Sequence, residues 1–189
     1  MDMMSVRRRV LMGPATPAVP QPIYHIENVV CDADFYQEIP ELRTGSNGTL
    51  YLDDWSILID LTPTKLYKYP FGAYQAFNLY VNWSGMNFYN TSNYAVSKPW
   101  QRRHKMVITH KSTDGNVVYA HADLENDGVY AVTACSGNAI RDDNSYALAV
   151  GWDYAKRANY QFVGTIHDMT VYHGYIPSID EIKTYIGVS

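Results

Sequence analysis

The sequence predicts an all-β protein: a two-sheet antiparallel sandwich closed by one short C-terminal helix. Three observations predict it. Runs of β-branched and aromatic residues recur at short spacing, separated by Gly, Asn, Asp and Pro turn signals. The chain carries 17 tyrosines and 4 tryptophans but only 18% charged residues, a composition typical of sheet surfaces and sandwich cores. The stretch Gln161 to Glu181 ends a strand at Gly174 and Pro177, and then places Ser178 three residues before Glu181. That spacing is a capping box, and Ile179, Ile182 and Ile186 give the following turns one apolar face. No repeat of twenty to fifty residues is visible, which excludes solenoids and propellers.

In chain order, residues 1–22 form an N-terminal anchoring or disordered tail. Its first part, MDMMSVRRRVLMG, is apolar and basic without a clean period; its second, PATPAVPQP, holds four prolines and is a semi-rigid spacer. The domain is expected over residues 23–189. Ile23 to Val30 is a first strand, and Phe35 to Leu42 is less regular. Gly45 to Gly48 is a turn. Trp55 to Leu61 alternates Trp55, Ile57, Ile59 and Leu61 against Ser56, Leu58 and Asp60, so one face is strongly apolar. Ala76 to Trp83 and Met86 to Asn90 flank Ser84-Gly85 as a hairpin. Trp100 to His110 and Val117 to Leu124 flank the Asp114-Gly115 turn, and Asn126 to Gly128 makes the next turn. Tyr146 to Trp152 is a strand, residues 153–160 a loop, Phe162 to Tyr172 the last strand, and Ile179 to Ile186 the helix.

The last strand, with Phe162, Gly164, Ile166, Asp168, Val171 and Tyr172, resembles the closing phrase F-x-G-x-I-D-D-V-R-I-Y of laminin-G-like domains in the concanavalin A-like lectin/glucanase superfamily. His167 stands for the first of the two acids and Met169 for the valine. Trp100, His104, Val107 and Thr109 resemble the family's W-H-H-V-A-V-T-Y strand. Asp54, Ile57 and Pro63 loosely resemble its first long strand, and Tyr146 to Trp152 its L-x-I-G strand. The resemblance spans about residues 50–187 and implies the jelly-roll version of the sandwich. The Met- and Arg-rich start resembles small proteins of phages and prophages.

Composition narrows the partners. Net charge is −4. Arg7, Arg8 and Arg9 against Asp2 leave residues 1–22 at +2, so the rest carries −6. An acidic domain argues against nucleic acid as a partner, and no apolar run is long enough to span a membrane. Cys31 and Cys135 are too few for a disulfide scaffold; whether they pair stays open.

A superfamily with glucanases raises hydrolysis. Retaining glycosidases need two carboxyls about 5–5.5 Å apart, but the superfamily's E-x-D-x-x-E signature is absent, and Asp123, Glu125 and Asp127 straddle a turn. His167 and His173 share strand parity but lie about 20 Å apart along an extended chain, too far for one metal. Calcium remains possible at Asp142, Asp143, Asn144 and Asp153, though loops flanking one strand fall at opposite ends of a sandwich. Lys98, Arg102, Arg103, His104 and Lys105 form either an anion-binding cluster or a solvated strand face. The sequons at Asn47, Asn82 and Asn90 matter only in a secretory pathway.

The expected function is therefore a non-enzymatic lectin-like module of a phage virion, with no required cofactor. It would bind host-surface carbohydrate and attach to other virion proteins, in several copies, through residues 1–22. An extracellular or cell-surface location is the alternative to the virion. Other readings are an architectural virion protein or a glycan hydrolase. Sugar rings stack on aromatics that stand beside amides or carboxylates. Asn82 and Trp83 at the hairpin tip, and Trp152, Asp153 and Tyr154 leaving a strand, meet that description; each tryptophan could instead plug the rim of the sandwich.

Overall fold

Segments whose apolar side chains fall at every second position must bury one face, and two facing sheets do so. The computed structural model describes residues 20–32, 34–45, 48–73, 77–89, 93–97, 99–115, 117–122, 132–133, 146–152 and 159–188. In chain order the elements are β1 (Tyr24–Cys31), β2 (Gln37–Arg43), α1 (Thr49–Leu52), β3 (Trp55–Pro63), β4 (Phe71–Ala73), β5 (Phe77–Asn82) and β6 (Gly85–Tyr89). There follow β7 (Asn93–Ser97), β8 (His104–His110), β9 (Val118–Ala122), β10 (Val132–Thr133), β11 (Ala147–Val150), β12 (Gly164–His173) and α2 (Ile179–Ile186). One sheet has the order β1-β12-β3-β8-β9-β10 and the other β2-β11-β4-β5-β6-β7. The pairings between these strands are antiparallel. This is the jelly-roll-like concanavalin A sandwich with a short C-terminal helix.

The core lies between the sheets. Trp55, Ile57, Ile59 and Leu61 of β3 meet Phe71, Phe77, Leu79 and Val81 of the opposite sheet, all 1% exposed or less. A tryptophan can be buried there because its indole N–H is satisfied: Trp55 Nε1 donates to Leu50 O at 3.1 Å. The His110 ring stacks on Trp55 at 5.6 Å and 13°. Its two nitrogens lie 2.8 Å from Asp53 O and 2.7 Å from Gly115 O.

The alternation in β3 predicted one buried face, but both faces are covered. Ser56 is fully buried and Asp60 is 4% exposed. The cover is α2, which lays Ile182 and Ile186 on Val107 and Leu58 of the outer face. Arg103 reaches Asp60 with both Nε and Nη2 at 2.6 Å, the bidentate geometry that satisfies a buried carboxylate. The capping box forms as expected. Ser178 Oγ accepts from Glu181 N at 3.3 Å, Ser178 N donates to Glu181 Oε2 at 2.7 Å, and Gly187 ends the helix in the left-handed region.

Several boundaries depart from expectation. Residues 37–43 form a regular strand, β7 and α1 were not anticipated, and the strand expected from Trp100 begins only at His104. Strand parity fails in β12, because the register with β3 shifts between Ile166 and Asp168. His167 there meets Thr62 Oγ1 at 2.9 Å, while His173 Nε2 meets Asp53 Oδ2 at 2.8 Å. Cys31 holds a buried free thiol whose pKa burial raises to about 12; Cys135 lies outside the described residues. Among the described residues no helix is long and apolar enough to cross a membrane.

Candidate functional site

The two sequence-nominated tryptophans fall at one end of one sheet. In the pairing of β11 with β4, Val150 opposes Phe71; in that of β11 with β2, it opposes Gln37. Antiparallel order then puts the end of β11, the start of β2, the approach to β4 and the β5–β6 turn on the same rim. Trp152 follows β11 and Trp83 occupies the turn.

The β5–β6 turn is tight because Asn82 opposes Gly85, with only Trp83 and Ser84 between. Asn82 Oδ1 accepts from Trp83 N at 2.7 Å, so the amide oxygen fixes the turn. Trp83 is thrown outward and is 68% exposed. Its indole N–H donates to the Tyr67 hydroxyl. Tyr67 is 45% exposed and has φ 59°, an uncommon value for a side chain of its size. The backbone around it is held by β5: Tyr67 N donates to Val81 O at 2.8 Å, and Val81 N to Lys68 O at 2.9 Å.

From Tyr67 a continuous file of rings crosses the rim. The Tyr67 and Tyr80 centroids are 6.1 Å apart, Tyr80 and Tyr69 4.9 Å, and Tyr69 and Tyr160 5.4 Å. These are ordinary separations for stacked or tilted aromatic pairs. Tyr69 N donates to Tyr160 O at 3.0 Å, which locks the last pair. Burial, and then its tyrosine neighbours, raise the Tyr80 hydroxyl to about 12, so it stays a neutral donor. Lys68 Nζ donates to Asn159 O, and burial followed by Lys65 lowers its pKa.

Farther along the rim, Trp152 is half-buried and meets Tyr36 edge-on at 6.5 Å and 77°. The Tyr36 hydroxyl donates to Glu38 Oε1 at 2.6 Å. Gly151 makes this exit possible: its φ is 83°, and a Cβ there would lie 2.4 Å from the Phe35 ring. Asp153 and Tyr154 lie outside the described residues. So do the acidic run 123–127 and the calcium candidates Asp142, Asp143, Asn144 and Asp153.

Sequence reasoning found both ends of this rim and missed Tyr67, Tyr69 and Tyr80 between them. One signal was present, since Tyr67 and Tyr69 stand two apart before Pro70. Their conjunction with Tyr80 depends on the β4–β5 register, which a linear reading does not contain.

Within the basic run Arg103 and Lys105 share the outer face beside Asp60 and Tyr185, while His104 turns into the core. Arg103 serves Asp60, the buried His104 ring meets Trp100 O at 3.1 Å, and Lys105 Nζ lies 5.7 Å from the Tyr185 ring centre. Strand alternation buries His104 between Arg103 and Lys105, whose own side chains face outward. Lys98 lies outside the described residues.

No protein-family model matches the chain, and no curated protein matches it. Solved structures do. The CBM40 domain of Ruminococcus gnavus IT-sialidase, bound to α2,3 sialyllactose, aligns with a TM-score of 0.63 at 13% identity, covering 89% of this chain and 100% of that one. The NanB sialidase of Streptococcus pneumoniae aligns at 0.58 and 14% identity over 87% of this chain and 28% of that one. A leech intramolecular trans-sialidase aligns at 0.60 and 15% identity, over 90% and 29% respectively. At such identities the likeness is one of fold. It is to sialidase-associated domains, and the laminin-G and phage resemblances gain nothing from it.

Proposed function

We propose that this chain is a non-enzymatic glycan-binding module whose ligand lies along the aromatic rim. The observation that carries the reading is the file Trp83, Tyr67, Tyr80, Tyr69 and Tyr160, with its outermost members 68% and 45% exposed. Trp83 and Tyr67 stand exposed side by side rather than singly, and contiguous exposed apolar surface marks binding sites. The exposed rings of Trp83 and Tyr67 suit the apolar face of a sugar ring, the buried Tyr69 stacked on Tyr80 backs them, and the Tyr67 hydroxyl and Asn82 supply polar contacts beside them. Trp152 stands on the same rim, and Asp153 and Tyr154, next in sequence, are proposed with it as sugar contacts. The fold likeness to a CBM40 domain bound to α2,3 sialyllactose supports a sialylated glycan as the first ligand class to try.

The attachment part of the reading rests on the tail. Its basic, proline-rich composition against an acidic domain suits a tether for residues 23–189, on a phage particle or a cell-surface assembly. The test is titration of the whole chain with 3′- and 6′-sialyllactose and a panel of neutral bacterial polysaccharides, followed by tryptophan fluorescence. Saturable binding with an emission shift is expected for at least one class. No binding of any glycan at millimolar concentration overturns the proposal and favours a purely architectural role.

A further inference from the structure

A second cluster lies on the other sheet, away from the aromatic rim. His25 and Glu27 stand two apart on the edge strand β1, so their side chains leave the same face. Asp168 on β12 is the register partner of Glu27. Two carboxylates directly opposed across a strand pair repel each other unless a cation sits between them. His25 Nε2 lies 3.0 Å from Asp168 Oδ1 and 3.3 Å from Glu27 Oε1. All three ligand atoms lie within 4.8 Å of one another. Ligands about 2.0–2.2 Å from a tetrahedral or octahedral ion are themselves roughly 3.0–3.4 Å apart, so the imidazole-to-carboxylate spacings already match.

The backbone is arranged around this point. The β1–β12 register continues unshifted from Glu27↔Asp168 to Val29↔Ile166, passing over Asn28, whose φ is 53°, and His167. The register of β12 with β3 shifts at the same place. Bulges of this kind re-aim side chains and concentrate beside functional sites. From outside the cluster, the Tyr185 hydroxyl on α2 donates to the other oxygen of Asp168 at 3.2 Å. That contact orients a carboxylate as an outer-shell partner does at a metal. The side chains are 43%, 62% and 31% exposed for His25, Glu27 and Asp168, which leaves the outward positions of an ion open to water or to a further ligand.

We infer that His25, Glu27 and Asp168 bind a divalent cation of the zinc type. One imidazole and two carboxylates suit zinc, nickel or cobalt. They do not suit calcium, which takes six to eight oxygens.

The experiment is calorimetric titration of the full chain with zinc chloride, nickel chloride and calcium chloride. One saturable zinc site is expected, with nickel competing and calcium not. His25→Ala, an exposed change that should leave folding intact, is expected to weaken zinc by at least tenfold, and His173→Ala to leave it unchanged. Tyr185→Phe keeps all three ligands and is expected to weaken zinc by about tenfold. Absence of zinc binding below millimolar concentration, or zinc binding that survives His25→Ala, overturns the inference. Either result leaves the glycan reading untouched, because the rim shares no residue with this cluster.

Discussion

Replacing Trp83 by alanine separates a binding tryptophan from a structural one. The side chain is 68% exposed, so only about a third of a tryptophan's roughly 250 Å² is withdrawn from water. At about 25 cal/mol per Å² that burial contributes at most about 2 kcal/mol to folding, an upper bound because the unfolded chain is not fully extended. For a domain of this size the melting temperature should fall by no more than about 8 °C. Loss of an aromatic stacking platform should weaken glycan binding by roughly 1–3 kcal/mol, by analogy with base stacking, or about 5- to 150-fold in Kd. Trp55→Ala provides the contrast: a fully buried ring is lost, which costs about 3–5 kcal/mol and should lower the melt far more. Thermal melts and glycan titrations of both variants are the assay. Unchanged glycan affinity in a folded Trp83→Ala protein would refute the rim as the binding surface.

Three further outcomes are expected. Arg103→Met should strand the Asp60 carboxylate, which is only 6% exposed, and cost toward the lower end of about 3–5 kcal/mol; chemical denaturation that shows under 1 kcal/mol would contradict the pairing. The Glu181 carboxyl is held below its ordinary pKa by hydrogen bonds from the Ser178 hydroxyl, Ser178 N and the Tyr175 hydroxyl. A depressed folded pKa contributes stability above the unfolded value, about 4.3, that is lost as pH falls through the lower folded value. Glu181→Gln should therefore flatten the acid limb of a stability–pH curve, and an unaltered limb would argue against it. Deleting residues 1–22 should leave the melt within a few degrees, because Pro20 to Pro22 are exposed and the first ladder contact begins at Ile23; a large drop would place the tail in the core.

Legibility in the sequence followed the range of the interactions. The helix at 179–186 was readable to the residue, because Ser178, Glu181, Gly187 and three isoleucines act within a few positions of one another. The inner face of β3 was readable from alternation alone. Its outer face was not: Asp60 is polar in the sequence and buried in the fold, and only the docking of α2 with Arg103 explains that. β7 and α1 lack strong local signals and exist through their neighbours. At the rim, Trp83 and Trp152 were visible as aromatics beside turns. Their placement on one end of one sheet, with Tyr67, Tyr80 and Tyr69 packed beside Trp83, needed the pairing of β11, β4 and β5.

The position of β12 governs how the chain must be made. It lies between β1 and β3, and both neighbours are synthesised more than a hundred residues earlier. Until residue 164 emerges, β1 has no partner among the described strands of its sheet and β3 presents one unpaired backbone edge beside its apolar face. Sheets completed by such distant pairings form slowly, and unpaired edges of that kind recruit foreign strands. A nascent chain stopped before β12 is therefore an aggregation hazard rather than a smaller domain. Conversely, a separately supplied peptide spanning β12 and α2 has a slot waiting for it between two strands, which makes this seam the natural place to split the protein into complementing halves.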